Sequence, residues 1–352
     1  MKKITFFISS LSGGGAEKVV SILVNNYIAR GYQVDVCLLF DSTVTYQIDR
    51  RVRIIDFSTK GSVISRFFKL IYQVRKYLKN EKTDRIISFL TKVNIIILLA
   101  SLGMNIGIYV SERNDPNKVA NKLIEILARK CYQLSNCRKV IFQTQYQRSF
   151  YGESIRKKGV VIYNPIKVLA KRQSPKHRIV SVGRLAPQKN QELLIRGFEQ
   201  VKKMYPEYTL TIYGEGKLRS SLTQLIQDLN LEDAVFLPGN KENIHQLIAD
   251  AEMFVLTSDY EGLSNALLEA MEMGIPCIST NVSGIDEILI NDKNSLLVPP
   301  KDEKALIMAI VKLIDNRSFA KKIGDGGKKT ANQFNPSIIC DAWFNTIKED
   351  IG

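Results

Sequence analysis

The sequence has 352 residues with 45% hydrophobic side chains, and its 50 lysines and arginines against 35 aspartates and glutamates give a formal net charge of +15. This length predicts two domains, each with its own core, and the composition excludes an intrinsically disordered chain. The five cysteines form no CxxC pair and there are only two histidines, which excludes a disulfide framework and a zinc site and fits a reducing cytoplasm. No stretch reaches the roughly 20 apolar residues that a membrane span needs.

The first half of the chain alternates short apolar runs with amphipathic stretches. The opening MKKITFFISSL predicts a first strand rather than a signal peptide, because the apolar run is short and no small-x-small cleavage site follows it. The predicted strands are Ile4–Ser9, Val34–Leu39, Arg53–Phe57, Ile86–Phe89, Gly107–Ser111 and Val140–Gln143. The predicted helices are Gly15–Arg30, Ser62–Lys79, Asn94–Leu102 and Lys118–Leu134. This alternation indicates a doubly wound parallel α/β sheet.

A polar stretch, Lys167 to Arg178, predicts a linker before a second alternation of the same kind. Its predicted strands are Ile179–Val182, Thr209–Tyr213, Val235–Leu237, Met253–Leu256 and Cys277–Ser279. Its predicted helices start at Asn190, at Lys217, at Asn243 and after Glu261. We therefore expect two Rossmann-like domains, residues 1–166 and 167–335, that face each other across a cleft, with a helix over about 336–352 packing back on the first. Ligands bind such sheets at the carboxyl ends of their strands.

The excess positive charge is confined to the first predicted domain. Residues 1–166 contain 27 lysines and arginines against 11 acidic residues, net +16, whereas the rest contain 23 against 24, net −1. Within the predicted helix Ser62–Lys79, residues 65–79 form a basic face and an aromatic face. This pattern favours docking on an anionic membrane surface. The alternative is an ordinary solvated helix. Nucleic-acid binding is not expected, because no zinc-finger, RNP-like or helix-turn-helix pattern is present.

The segment YEGLSNALLE, Tyr260 to Glu269, follows a predicted buried strand and opens a predicted helix. The first turn of such a helix presents free N–H groups and a positive dipole end, which suits a phosphate. Glu261 stands just before this turn and Glu269 about two turns into the helix, so the pair suits a ligand with a sugar and a ribose at its two ends. The alternative is a capping acid at Glu261 and a solvated helix residue at Glu269.

Two cations precede the predicted helix that starts at Asn190. Arg184 and Lys189, in VGRLAPQKN, can neutralise a pyrophosphate without a metal, although either one alone is also typical of surface charge. The segment YGEGK at Gly214 lacks Walker spacing and predicts a tight turn that lines the cleft. Gly13–Gly15 does not match GxGxxG either, but three glycines allow close backbone approach to a ligand.

Four segments together resemble the family 4 retaining glycosyltransferases, which have the GT-B fold. They occur in the family's order from Ser12 to about Leu297 and read SGGGAEKVV, VGRLAPQKN, YEGLSNALLE and GIPCISTNVSGIDEIL. The opening is similar to bacterial enzymes that extend lipid-linked oligosaccharides for O-antigen, capsule or glycoprotein glycans, including N-acetylgalactosamine transferases. The resemblance implies retaining transfer of a hexose or N-acetylhexosamine from a nucleotide sugar, UDP-linked, to a lipid-linked saccharide. The enzyme would be a peripheral protein on the inner face of the cytoplasmic membrane.

The resemblance also implies roles for individual residues. Arg184 and Lys189 would bind the donor diphosphate and stabilise its developing charge, Glu261 would contact the sugar hydroxyls, and Glu269 would bind the ribose. No metal and no other cofactor would be needed. The expected donor-site residues are Gly14, Gly15, Gly183, Arg184, Lys189, Gly214, Glu261, Gly262, Leu263, Ser264, Asn265, Ala266, Leu267 and Glu269.

Backbone groups complete the implied donor site. The N–H groups near Asn265 to Leu268 would hold the distal phosphate, and the loop at Gly14 and Gly15 would close over it. Ser283 and Gly284 correspond to a glycine-rich turn that many members of the family have near the donor.

The sequence departs from the family at the end of a middle strand of the first domain. Many members carry a histidine there, whereas this chain reads Val110 to Asp115, VSERND, which makes Glu112 the candidate for assisting the acceptor hydroxyl. Both histidines lie in the second half of the chain. His177 is expected to be a surface residue of the linker, and His245 a helix surface or interface residue.

Two other functions remain open on the residues alone. A GT-B sugar-nucleotide epimerase would use the same donor site but needs acid and base groups facing the sugar, and the first domain has no histidine to supply them. A non-catalytic basic protein that binds membrane or RNA would account for the charge but leaves the donor-site residues unexplained.

Overall fold

A computed structural model describes residues 2–12, 14–113, 122–166, 168, 170–282 and 284–348. The chain divides into two compact units, Met1–Pro165 with Pro336–Gly352, and Ile166–Asn335. We call them unit 1 and unit 2. The predicted boundary after residue 166 differs from this division by one residue. Gly13, Ser283 and the start of the helix predicted at Lys118 lie outside the described residues.

Each unit contains one parallel β-sheet. Unit 1 contains β1 (Lys3–Ile8), β2 (Gln33–Leu38), β3 (Arg53–Asp56), β4 (Arg85–Phe89), β5 (Gly107–Ser111), β6 (Cys137–Phe142) and β7 (Gly159–Val161), in the order β3-β2-β1-β4-β5-β6-β7. Unit 2 contains β8 (Arg178–Val182), β9 (Thr209–Tyr213), β10 (Val235–Gly239), β11 (Met253–Leu256), β12 (Cys277–Thr280) and β13 (Leu296–Val298), in the order β10-β9-β8-β11-β12-β13. The predicted α/β class with two doubly wound sheets is confirmed.

Helices form most of the connections between the parallel strands, as is usual for crossovers of this kind. In unit 1 they are α1 (Gly15–Ala29), α2 (Val63–Asn80), α3 (Thr91–Ala100), α4 (Lys122–Gln133), α5 (Gln145–Ser149) and α6 (Glu153–Lys158). In unit 2 they are α7 (Gln191–Met204), α8 (Arg219–Asp228), α9 (Ile244–Ile248), α10 (Asn265–Glu272), α11 (Glu303–Asp315) and α12 (Arg317–Ala331), and α13 (Pro336–Lys348) returns to unit 1.

The last helix, α13, completes the core of unit 1. Trp343 is fully buried and stacks on Phe89 of β4, with ring centroids 5.5 Å apart. At the surface, Arg30 forms an ion pair with Asp341 and lies over the ring of Phe344. Burial of a tryptophan in this way removes a large apolar area from water, so unit 1 depends on residues from both ends of the chain.

Strand order places the loops of unit 2. From β8 the chain first adds β9 and β10 on one side, and then places β11, β12 and β13 on the other. Because β8 and β11 are parallel neighbours whose following connections run in opposite directions, a ligand-binding crevice is expected beyond their carboxyl ends. The loops that carry Lys189 and Glu261 both start at this edge.

Candidate functional site

The loops after β8 and β11 are joined by hydrogen bonds. The N–H of Asp259 donates to the backbone oxygen of Gln188 at 2.9 Å, and Asn190 Nδ2 donates to Asp259 Oδ1 at 2.9 Å. Thr257 Oγ1 donates to the backbone oxygen of Lys189 at 3.0 Å. These bonds fix the two loops against each other, so the side chains they carry are held in a defined arrangement.

Lys189 and Glu261 form an ion pair at the centre of these loops. Their side chains are only 16% and 11% exposed, and Ser258 Oγ donates to Glu261 Oε2 at 3.1 Å. Burial makes the attraction between the two charges stronger than it would be at an exposed surface. A cation and a carboxylate of the predicted donor site are therefore direct neighbours.

Arg184 lies on the same loop as Lys189, and its side chain is exposed. Its backbone is anchored, because Gln191 Nε2 donates to the Arg184 carbonyl oxygen at 2.9 Å. A Cβ on Gly183 would lie 3.4 Å from Lys189 Cε, so this glycine packs against the lysine side chain. Gly214 has φ +142°, and a Cβ there would lie 2.0 Å from the Gly183 carbonyl oxygen. Glycine at 214 thus lets the loop after β9 approach the loop that carries Lys189.

The amino terminus of α10 is capped by Ser264 rather than by an acid. Its Oγ accepts from the Leu267 N–H at 3.5 Å, and its backbone oxygen accepts from the Leu268 N–H at 3.1 Å. The alternative interpretation of Glu261 as the capping acid is therefore wrong. Since two of the predicted N–H donors are bonded within the cap, a phosphate would have to be bound through the positions before them.

Glu269 is buried within unit 2. Its side chain is 10% exposed, and its Oε2 lies 3.1 Å from Nε2 of His245 on α9. The alternative interpretation of Glu269 as a solvated helix residue is wrong, and of the two predicted environments of His245, helix surface or interface, the surface one is wrong. The contact is not visible in the sequence because 24 residues separate the two positions and α9 is a single short turn. His177 is exposed as predicted and lies against Tyr208.

Gly14 and Gly15 follow β1 in unit 1. Gly14 is the N-cap of α1, and its backbone oxygen accepts a hydrogen bond from the Tyr46 hydroxyl at 2.9 Å. Gly15 begins the helix itself. These positions place a helix start at the carboxyl end of β1, where a ligand of a doubly wound sheet is expected.

Glu112 follows β5 and is only 3% exposed. The Thr91 hydroxyl donates to its Oε1 at 2.8 Å and the Tyr132 hydroxyl donates to its Oε2 at 2.6 Å. Both carboxylate oxygens are thus engaged inside unit 1. A buried carboxylate requires such partners, so this arrangement favours a role in holding α3 and α4 together.

Arg113, the residue after Glu112, has no role predicted from the sequence. Its guanidinium lies over the rings of Phe89 and Trp343, at 5.2 and 5.8 Å, and donates to Asn164 Oδ1 at 2.6 Å. Burial lowers the pKa of Arg113 to about 9. The residue type gave no signal, because an arginine after a strand is usually exposed.

A metal would need a group of carboxylate, imidazole or thiolate ligands. Within the described residues, no three or more histidine, cysteine, aspartate or glutamate side chains are placed to hold one. In unit 2, the charged residues predicted to bind the donor are Arg184, Lys189, Glu261 and Glu269.

Comparisons with known proteins identify the family. Residues 13–168 match the model described as Glycosyltransferase Family 4, and residues 167–330 match Glycosyl transferases group 1. The chain is 30% identical over 358 residues to the N-acetylgalactosamine-N,N′-diacetylbacillosaminyl-diphospho-undecaprenol 4-α-N-acetylgalactosaminyltransferase of Campylobacter jejuni, covering 95% of this chain and 96% of that protein. It is 26% identical to the GalNAc-α-(1→4)-GalNAc-α-(1→3)-diNAcBac-PP-undecaprenol α-1,4-N-acetyl-D-galactosaminyltransferase of the same species, covering 99% of each.

Solved structures agree in fold. Anabaena HepE in complex with UDP superposes with a TM-score of 0.84 at 20% identity, covering 99% of this chain and 100% of HepE. The lipopolysaccharide outer core galactosyltransferase WaaB gives a TM-score of 0.79 at 21% identity, covering 99% of both chains. The predicted GT-B fold is confirmed, and the protein belongs to the family 4 glycosyltransferases.

Proposed function

We propose that this glycosyltransferase transfers an N-acetylhexosamine from a UDP-sugar to a lipid-linked saccharide in surface polysaccharide synthesis. The favoured sugar is N-acetylgalactosamine. The observation that carries the proposal is the partly buried ion pair of Lys189 and Glu261 at the edge where β8 and β11 end. The choice of sugar and acceptor is supported by the names of the two Campylobacter relatives, which act on undecaprenol-linked saccharides. Transfer proceeds with retention at the anomeric carbon.

The charges of the site residues support an orientation in which the donor diphosphate lies against the two cations and its sugar and ribose lie against the two carboxylates. Negative charge grows on the leaving diphosphate as the glycosidic bond stretches, and Lys189 and Arg184 stabilise that charge more in the transition state than in the ground state. Glu261 then accepts hydrogen bonds from sugar hydroxyls, and Glu269 from the ribose. The two cations take the place of a divalent metal. The carboxylates bind and orient, and neither acts as a covalent nucleophile.

The acceptor is brought to the enzyme by membrane docking of unit 1. Along the first ten residues of α2, the large apolar side chains Val63, Ile64, Phe68 and Tyr72 are 65% to 82% exposed. Lys69, Lys76 and Lys79 are exposed along the same helix, whereas Leu70, Val74 and Leu78 are buried. An exposed apolar face bordered by lysines suits insertion into an anionic lipid interface.

Not every basic residue of α2 is available for lipid. Arg75 donates to the backbone oxygens of Ala100 and Leu102, at 2.9 and 2.8 Å, and so caps the carboxyl end of α3. Among the described residues, no helix combines the length and apolarity needed to cross a bilayer. We propose peripheral attachment at the inner face of the cytoplasmic membrane.

The donor and reaction are tested with the purified protein, a panel of UDP-, GDP- and ADP-sugars, and undecaprenol-linked saccharide acceptors. Binding is read first by thermal shift, because a ligand at 100 times its Kd stabilises the fold by about 2.7 kcal/mol. We expect UDP-N-acetylgalactosamine to bind and to give an α-linked product by NMR. Epimerised donor without acceptor would instead identify an epimerase, and no nucleotide-sugar binding would identify a non-catalytic basic protein.

Membrane docking is tested by co-sedimentation with vesicles of phosphatidylglycerol and phosphatidylcholine. The variant Phe68→Ala, Tyr72→Ala should sediment less than the wild type, and Lys69→Gln, Lys76→Gln should lose binding at low salt. The matched control is Lys304→Gln, Lys329→Gln, which removes two exposed charges from unit 2. Equal sedimentation of all these variants would exclude α2 as the docking surface.

A further inference from the structure

His245 and Glu269 form a buried contact, and the proposed transfer reaction assigns no role to His245. The two residues are each 8% exposed, and Nε2 and Oε2 are in contact at 3.1 Å. We propose that His245 is a positioning residue that holds the Glu269 carboxylate in the orientation needed to bind the ribose hydroxyls of the donor nucleotide. The inference rests on the proposed role of Glu269 in ribose binding.

The need for such a residue follows from the burial of Glu269. A carboxylate removed from water is unfavourable unless polar groups surround it, and a carboxylate that must select a ribose hydroxyl also has to be fixed in one rotamer. His245 comes from a different helix, α9, which packs against α10. Because the two helices are held by the core of unit 2, the imidazole constrains the carboxylate from outside its own helix.

The contact is compatible with ligand binding at the same carboxylate. A carboxylate accepts several hydrogen bonds through its two oxygens, so Glu269 can contact an imidazole and a ribose hydroxyl together. His245 does not touch the reacting sugar in this scheme. Its loss should therefore weaken recognition of the ribose and leave other parts of donor binding intact.

Two substitutions separate the polar contact from simple packing. His245→Phe keeps a ring of similar size but removes its nitrogen atoms, and His245→Gln keeps an N–H donor without the ring. The control is His177→Phe, at an exposed histidine in the same unit. Thermal unfolding of each variant checks that unit 2 remains folded. If His245→Phe does not fold, nucleotide binding is measured on His245→Gln instead.

The readout is the ratio of dissociation constants for 2′-deoxy-UDP and UDP, measured by isothermal titration calorimetry on the full chain. We expect the wild type and His177→Phe to prefer UDP by about tenfold or more, since a hydrogen bond to a charged group is lost with the 2′-hydroxyl. Glu269→Gln and His245→Phe should reduce the preference to below about threefold, with His245→Gln retaining most of it.

Each result decides a different point. If Glu269→Gln loses the preference and His245→Phe keeps it, the ribose site stands and the positioning role of His245 is wrong. If the wild type binds UDP without preferring it to the deoxy form, the ribose role of Glu269 is wrong and the inference fails with it. If the wild type binds neither nucleotide, the proposed donor itself is wrong.

Discussion

The Lys189 ammonium pairs with the Glu261 carboxylate across 72 residues of sequence, on loops that follow two adjacent parallel strands. The two loops hold these opposite charges close together. A nucleotide diphosphate sugar would place its phosphate against the Lys189 ammonium and its sugar hydroxyls against the Glu261 carboxylate. Such preorganisation reduces the rearrangement needed when charge develops on the leaving group.

Replacement of Lys189 should therefore reduce transfer with little change in fold. We expect Lys189→Ala to lower kcat by about 100-fold or more, the effect seen when one preorganised donor to a developing anion is removed. The measurement is steady-state transfer with UDP-N-acetylgalactosamine, accompanied by urea unfolding. Lys203→Ala, at an exposed pair with Glu199 on α7, is the matched control. Turnover near the wild-type rate would remove Lys189 from the diphosphate role.

Gly214 should tolerate no side chain. Its φ of +142° is unfavourable for other residues, and a Cβ would lie 2.0 Å from the Gly183 carbonyl oxygen. We expect Gly214→Ala to lower the free energy of unfolding by at least about 1–3 kcal/mol and to weaken donor binding, because it displaces the loop that carries Lys189. Gly152→Ala is the control, since a Cβ there meets no atom within 4 Å. Equal stability of the two variants in urea would contradict this account.

The fold was largely predictable because buried strands leave strong sequence patterns. The predicted bounds of the strands Thr209–Tyr213 and Met253–Leu256 agree with β9 and β11 at every residue. The three-residue strands β7 and β13 were missed, since so short a run carries no periodicity. The helix α12 was missed too, and it contains three glycines, including Gly324, where a Cβ would lie 2.5 Å from the Gly274 oxygen. Close packing there overrides low helix propensity.

The sequence predicts which residues form the candidate site, but it does not predict the contacts between their side chains. The spacing of YEGLSNALLE indicated Glu261 and Glu269, yet their partners depend on strand order and helix packing. Lys189 meets Glu261 only because β8 and β11 are neighbours in the sheet. His245 meets Glu269 only because α9 packs on α10. Contacts of this kind are set by tertiary structure, and a single sequence does not state them.

Asp35 should make unit 1 sensitive to acid. Burial alone would raise its pKa, but hydrogen bonds from Arg53, Tyr77 and Lys3 outweigh burial and hold the pKa below its ordinary value. Because the folded state binds the proton more weakly than the unfolded state, this stabilisation is present above the unfolded pKa of about 3.9. It is lost as the pH falls through the folded value.

The test compares urea unfolding of the wild type and Asp35→Asn between pH 7 and pH 3. The wild type should be more stable at neutral pH, and the difference should shrink as the pH falls below about 4. Asp228→Asn, on the exposed face of α8, is the control. A difference that does not change with pH would show that Asp35 acts through packing alone.

Removal of metal should leave transfer unchanged, because Lys189 and Arg184 are proposed to neutralise the diphosphate. We expect the rate after dialysis against EDTA to match the untreated enzyme, and added magnesium or manganese to have no effect beyond that of ionic strength. Loss of activity that a divalent ion restores would contradict the proposed role of the two cations, and would direct attention to the carboxylates of the site as metal ligands.

Trp343 should support unit 1 and not unit 2. Its side chain is fully buried against Phe89, so Trp343→Ala should cost about 3–5 kcal/mol of stability, as large core truncations do. Trp343→Phe keeps an aromatic ring for stacking and should cost less. Hydrogen exchange gives a local reading of stability. We expect faster exchange in β4 and α1 of the alanine variant with little change in β9 and β11. Similar acceleration in both units would mean that they unfold together, and no acceleration would mean that α13 is dispensable for the core of unit 1.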